Sequence, residues 1–125
     1  MNLIPTRVHG VLDYLSGVLF VASPWLFGFA DGSAAQWVPV IAGLALLGLS
    51  IFTNYEAGLV KSIPMPTHLT VDVLTGIVLA ASPWIFGFAD RVYLPHVIFG
   101  LLEVGAGLLT QKTPSPVSKR PDHAF

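Results

Sequence analysis

The chain has no cysteine among its 125 residues. That excludes disulfides, thiolate metal sites and cysteine nucleophiles, and leaves the redox compartment open. Charge is nearly as scarce. Six Lys and Arg with seven Asp and Glu make only 10% of the residues, where a soluble domain carries about a quarter. So few charges do not cover a water-facing surface, and most of the exterior is expected to face lipid. A net charge of -1 and a pI near 6.4 provide no basic field for nucleic acid. Catalytic signatures are missing too: there is no Gly-rich phosphate loop, Gly-x-Ser-x-Gly, His-Glu-x-x-His or CaaX end. Nothing in the chain argues for an enzyme, and no cofactor is expected.

What is present is apolar, at 54% of residues. Four runs lack charge: Tyr14–Ala30, Gly32–Tyr55, Val73–Ala89, and Val92–Leu102, the last resuming after Glu103 to Gln111. Crossing a ~30 Å hydrocarbon core takes about 20 helical residues. The first and third runs reach that length only if their helices start near Arg7 and Thr67, which places Asp13 and Asp72 inside them. The N-terminal stretch has an Asp within its apolar part and Ser23-Pro24-Trp25 where a cleavage site would need small residues. It is expected to be a retained span, not a cleaved signal.

Self-comparison shows a repeat. A shift of 59 lays His9–Asp31 over His68–Asp90 with 13 of 23 residues identical, too many for chance. His9/His68, Asp13/Asp72 and Gly17/Gly76 coincide. So do Ala22-Ser23-Pro24-Trp25 with Ala81-Ser82-Pro83-Trp84, and Phe27-Gly28-Phe29-Ala30-Asp31 with Phe86-Gly87-Phe88-Ala89-Asp90. After a two-residue deletion Val40–Leu44 lies over Val97–Leu101, and Gly48 and Thr53 over Gly105 and Thr110. Each unit holds two spans, so both enter the membrane in the same sense, related by a pseudo-two-fold axis along its normal.

The doubled Ser-Pro-Trp motif, each copy followed after one residue by Phe-Gly-Phe-Ala-Asp, resembles the SPW-repeat family of small bacterial membrane proteins. The resemblance covers residue 5 to about 112. It implies a fold and a location but no catalytic residues. The expected fold is all-α: a four-helix transmembrane bundle of two tandem helix hairpins. Residues 1–6 form a cytoplasmic tail, 7–55 the first repeat, 56–66 a cytoplasmic loop, 67–112 the second repeat and 113–125 a Pro-rich disordered tail. Arg7, Lys61, Lys112, Lys119 and Arg120 lie on one side of such a bundle and Arg91 alone on the other. The positive-inside rule then puts both termini in the cytoplasm of a multi-pass inner-membrane protein. Pro64 and Pro66 precede Thr67, the expected cap of the third helix.

Several polar residues stand out against this background. Pro24 and Pro83 are expected to kink or unwind their helices, with Ser23 or Ser82 bonding a freed carbonyl. Trp25 and Trp84, flanked by Phe27/Phe29 and Phe86/Phe88, read as an aromatic belt, and Tyr14, Tyr55 and Tyr93 as interface residues. Asp31 and Asp90 are expected to end their helices in water. His9 and Asp13 share a helix face four residues apart, as do His68 and Asp72. A carboxylate near mid-bilayer costs ~2.5–3.5 kcal/mol on insertion scales, so both pairs should face the bundle axis, with the histidines at the wet cytoplasmic edge.

One reading makes these pairs packing pins. Another makes them a proton or cation site, within which a His2Asp2 metal set has suitable donors. In the fourth span His96, Gly100, Glu103 and Gly107 form one stripe, matched in the second span by Pro39, Gly43, Leu46 and Ser50. Glu103 should therefore point inward, roughly 12 Å from the helix end, and an intramembrane carboxyl group is a functional candidate by default. Glu56 and Lys61 read as solvated loop charges.

The leading expectation is a structural or accessory protein acting through helix contacts with lipid, with copies of itself or with a membrane-protein partner. The alternative is a small proton or cation conduit exchanging through Asp13, Asp72 and Glu103; a membrane enzyme is third.

Overall fold

A computed structural model describes residues 3–113; the tail from Pro114 onward, expected to be disordered, lies outside the described residues. Four helices follow one another: α1 (Thr6–Leu26), α2 (Ala34–Ile51), α3 (Met65–Ile85) and α4 (Leu94–Leu109). Named strands are absent among the described residues, which show only two isolated β-bridges. The fold is an all-α four-helix bundle.

α1 and α3 each span 21 residues and start the same way. Pro5 and Pro64 occupy the N-cap in extended conformation, with ψ of 150° and 146°. Proline disfavours helical backbone in the residue before it, so Ile4 and Ile63 remain extended and form the two bridges, Ile4 with Thr110 and Ile63 with Thr53. The helices therefore begin slightly ahead of the expected Arg7 and Thr67, and Thr67 is not a cap.

The Ser-Pro-Trp motif ends these helices where a kink was expected. Proline has no N–H for the carbonyl four residues back, and in each copy the preceding serine supplies the missing donor. Ser23 Oγ donates to Phe20 O at 2.8 Å and Ser82 Oγ to Leu79 O at 2.7 Å. Four residues past each proline the chain needs a left-handed residue, which Gly28 (φ 75°) and Gly87 (φ 74°) provide. The amides of Phe29 and Phe88 then reach back to Pro24 O and Pro83 O, both at 2.8 Å. These are the six-residue bonds of a Schellman cap. Asp31 and Asp90 consequently lie in loops, beyond the helix ends.

α1 packs chiefly on α2 and α3 on α4, each pair closing on small residues. A Cβ on Gly43 would stand 2.6 Å from Gly17 O, and one on Gly100 2.5 Å from Gly76 O. Only glycine permits this backbone-to-backbone approach. Between the hairpins, Phe20, Leu46, Leu79 and Phe99 form the apolar centre, with the two phenyl rings stacked at 4.8 Å.

The helix surfaces carry many large apolar side chains. Val11, Leu15, Val18, Ile41, Leu44, Leu74, Ile77, Leu101, Leu102 and Leu108 are all more than half exposed. His9, Asp13, His68, Asp72, His96 and Glu103 are all buried. Exposed aliphatic side chains along the helices, with Asp13, Asp72 and Glu103 buried between them, suit lipid rather than water, as befits a small membrane protein. α2 and α3 are long and apolar enough to cross a bilayer; α4 is apolar but only 16 residues long.

At the hairpin turns Trp25, Trp84, Phe27 and Phe86 are exposed as expected of a belt, but Phe29 and Phe88 fold inward. The Schellman bonds turn them back over the bundle end. Asp31 accepts from the Ser33 amide and hydroxyl at 3.0 and 2.6 Å, and pairs with Arg91 across the two turns. The Ser33 bonds first, and Arg91 second, hold its carboxyl below the usual carboxylate range.

Candidate functional site

Helix phase sets the candidate site. His9 and Asp13 lie one turn apart on the inner face of α1, and His68 and Asp72 occupy the same places on α3. The two faces meet, and the four side chains form one cluster, each no more than 4% exposed. His9 Nε2 lies 3.0 Å from Asp13 Oδ1 and 2.9 Å from Asp72 Oδ2. His68 Nε2 lies 3.1 Å from Asp13 Oδ2 and 3.2 Å from Asp72 Oδ2. Each imidazole thus faces both carboxylates, one from its own repeat and one from the other. The two rings meet edge to face at 5.3 Å.

The far nitrogens are held by two threonines. His9 Nδ1 is 2.6 Å from Thr110 Oγ1, and His68 Nδ1 is 2.6 Å from Thr53 Oγ1. Each hydroxyl also donates to the carbonyl four residues back: Thr53 to Leu49 O and Thr110 to Ala106 O, both at 2.6 Å. A hydroxyl has one hydrogen. With that hydrogen on the carbonyl, the threonine oxygen must accept, so each Nδ1 carries the proton. Each Nε2 then meets the carboxylates either as a lone pair or as a second N–H. A lone pair 3 Å from an anionic oxygen is repulsive, so positive charge must lie between them. The two carboxylates are balanced by two ring protons or by one divalent cation.

The histidines do not sit at a wet edge as expected. Both are essentially inaccessible, because the residue 53–57 turn and the start and end of the bundle close over them. Tyr55 belongs to that cover. It is buried against the His68 ring, and its hydroxyl donates to Asp13 Oδ2 at 2.6 Å, so it is not an interface residue. Burial first, and the Asp13 carboxylate next, push its hydroxyl above its ordinary value, keeping it a donor. Tyr14 also bonds the turn, donating to Ala57 O at 2.8 Å. Glu56 and Lys61 are likewise engaged: Thr6 donates to Glu56 at 2.7 Å, and Lys61 to Tyr55 O at 2.5 Å.

Asp72 has no counterpart of Tyr55, since the repeat places Lys112 there. Its Oδ1 is buried without a hydrogen-bond partner, as is His68 Nε2, whose approaches are close but poorly directed.

Of the remaining candidates, Glu103 borders the cluster and His96 stands apart from it. Glu103 faces inward at 8% exposure, with Thr75 Oγ1 3.4 Å from it. It lines a groove of about 310 Å³ between α1 and α4 with Asp13 and Ser16. His96 lies ~21 Å from Thr110 along α4, at 1.5 Å per residue. Its role is structural: Pro39 frees the carbonyl of Ala35, and His96 Nε2 donates to that oxygen at 2.8 Å. The ring packs between Phe29 and Phe88. Sequence reasoning missed Thr53, Thr110 and Tyr55 as members of the site. For the threonines a signal existed, because they are an identical pair in the repeat.

The family model of the SPW repeat domain matches residues 7–110 of this chain. Comparison with curated proteins and with solved structures finds no match.

Proposed function

The chain belongs to the SPW repeat family, and we propose that it is a four-pass protein of the bacterial inner membrane with a structural or accessory role. Both termini lie in the cytoplasm on this reading, as the excess of Lys and Arg on that side favours. Exposed apolar side chains on all four helices support four spans. The shortest, α4, covers ~24 Å at 1.5 Å per residue and is extended at its end by the strand-like pairing with Ile4. Small inward residues leave the outer faces for lipid, a second copy or a membrane-protein partner.

One observation carries the accessory reading over a conduit: the polar cluster is closed. It is sealed on the near side by Tyr55, Thr53 and Thr110. About two helical turns further in, Phe20, Leu46, Leu79 and Phe99 fill the axis. A proton path needs continuous polar or watered groups from face to face, and this apolar layer interrupts it. The cluster instead joins the two hairpins, as the apolar centre does further in. The alternative draws support from the groove that Asp13, Ser16 and Glu103 share.

The test is reconstitution into liposomes loaded with a pH-sensitive dye. The accessory reading expects the wild type to dissipate a proton gradient no faster than Asp13→Asn/Asp72→Asn. A clearly faster wild-type flux would establish the conduit instead.

A further inference from the structure

We propose that His9, Asp13, His68 and Asp72 bind one divalent transition-metal ion of zinc's size and coordination preference, two ligands coming from each repeat. The donor set is two imidazole nitrogens and two carboxylate oxygens, which zinc accepts and which needs no cysteine. One ligand atom from each residue can be chosen so that all four lie within 4.8 Å of one another. The four nitrogen–oxygen separations are 2.9–3.2 Å. A tetrahedral ion with bonds of 2.0–2.1 Å has ligand–ligand edges of about 3.3–3.4 Å. The close pairs, which use both oxygens of Asp13, must open by a few tenths of an ångström, and the wider separations, up to 4.8 Å, must close around the ion.

Orientation agrees with size. A ligating histidine characteristically donates its other ring N–H to a fixed acceptor, which sets the tautomer. Here Thr53 and Thr110 are those acceptors, each locked by its own bond to a backbone carbonyl. All four relevant atoms, His9 Nε2, His68 Nε2 and one oxygen of each Asp, converge on one point from which solvent is excluded. His68 Nε2 there has no hydrogen-bond partner, and neither has Oδ1, the other oxygen of the Asp72 carboxylate, an arrangement that is expensive unless something binds them. Two carboxylates in a low-dielectric interior require two positive charges. One divalent ion supplies both, displacing the two ring protons. Two ring protons balance the same charge, so retention of metal is what separates the two arrangements. The inference is independent of the accessory role, since flux and metal content are read separately.

The experiment uses the full chain in detergent, stripped with chelator and then offered zinc sulfate or cobalt chloride. The expected result is one zinc retained per chain through gel filtration, and intense visible absorption from tetrahedral cobalt. His68→Gln and Asp72→Asn should weaken zinc binding by more than the about 10–100-fold typical of an outer-shell change. Thr53→Val should fall within that range. His123→Ala, in the tail, should change nothing. Failure of the stripped wild type to retain zinc overturns the proposal. So does weak octahedral cobalt absorption, or undiminished zinc uptake by a folded His68→Gln protein. If the ligand variants do not fold, the wild-type cobalt spectrum decides.

Discussion

Tyr55 is the residue whose surroundings differ most from its appearance in sequence. An aromatic phenol just past an apolar run resembles an interface anchor, yet its hydroxyl is spent on Asp13, 2.6 Å away and fully buried. Hydrogen bonds to a charged group contribute about 1.5–3 kcal/mol. Tyr55→Phe keeps the ring packing against His68 and removes only that bond. It is expected to lower stability by about 2 kcal/mol, measured by unfolding in mixed micelles. A loss under a few tenths would show that the bond is not formed. The candidate site was half legible at this scale. His9, Asp13, His68 and Asp72 declare themselves by spacing and by repetition. Their convergence does not, because four-residue spacing fixes a face and not its neighbour. Tyr55 and the threonines come from turns and helix ends, where periodicity carries no signal.

At the scale of the helix, the repeated motif is a termination device. Serine replaces the donor that proline lacks, glycine takes the left-handed position, and phenylalanine folds back over the end. The sequence pattern predicts a kink or unwinding at Pro24 and Pro83 with the helices ending near Asp31 and Asp90, whereas they end at Leu26 and Ile85. The run beyond those ends is apolar because Phe29 and Phe88 cap the bundle, not because they extend the span. The ingredients of the cap, proline followed by glycine, were present and were outweighed by hydropathy. Gly28 and Gly87 have open space around them, so a methyl group meets no neighbour there and the backbone alone is tested. Gly28→Ala is expected to cost about 1–2 kcal/mol, the strain of a side chain in the left-handed region. Gly28→Asn should cost less. Equal stability of the alanine variant would show that this turn is not held in that conformation.

Across the whole molecule, contacts recur under the same shift that aligns the repeats. Gly17–Gly43 becomes Gly76–Gly100, His68–Thr53 becomes His9–Thr110, and Ile63–Thr53 becomes Ile4–Thr110. The helix count, pairing and tandem arrangement were therefore readable from self-comparison alone. The exceptions were not, because a repeat predicts what is shared. Leu46 belongs to the apolar centre while its counterpart Glu103 brings a carboxyl group to the same level. Glu103→Leu restores the symmetry and removes a buried polar group with one long hydrogen bond. Replacing such a group by a well-packed apolar one is often neutral or stabilising. Glu103→Leu is expected to be at least as stable as the wild type by unfolding in mixed micelles. A loss above about 2 kcal/mol, the scale of a broken charged hydrogen bond, would mean that Glu103 holds a partner the geometry does not reveal.

The clip between Ile4 and the end of α4 has the same form as the clip that joins the two repeats. Ile4 N donates to Leu109 O and Gln111 N to Ile4 O, both at 2.9 Å, just as Ile63 N and Asn54 N pair across the inter-repeat turn at 2.8 and 2.7 Å. The two junctions differ in that one is covalent. Opening the polypeptide near Lys61 and stitching Lys112 to Leu3 through a short flexible linker would exchange them. That circular permutant is expected to rebuild the native hairpin order and reproduce the wild-type helical circular dichroism, because the architecture is a ring whose starting point is arbitrary.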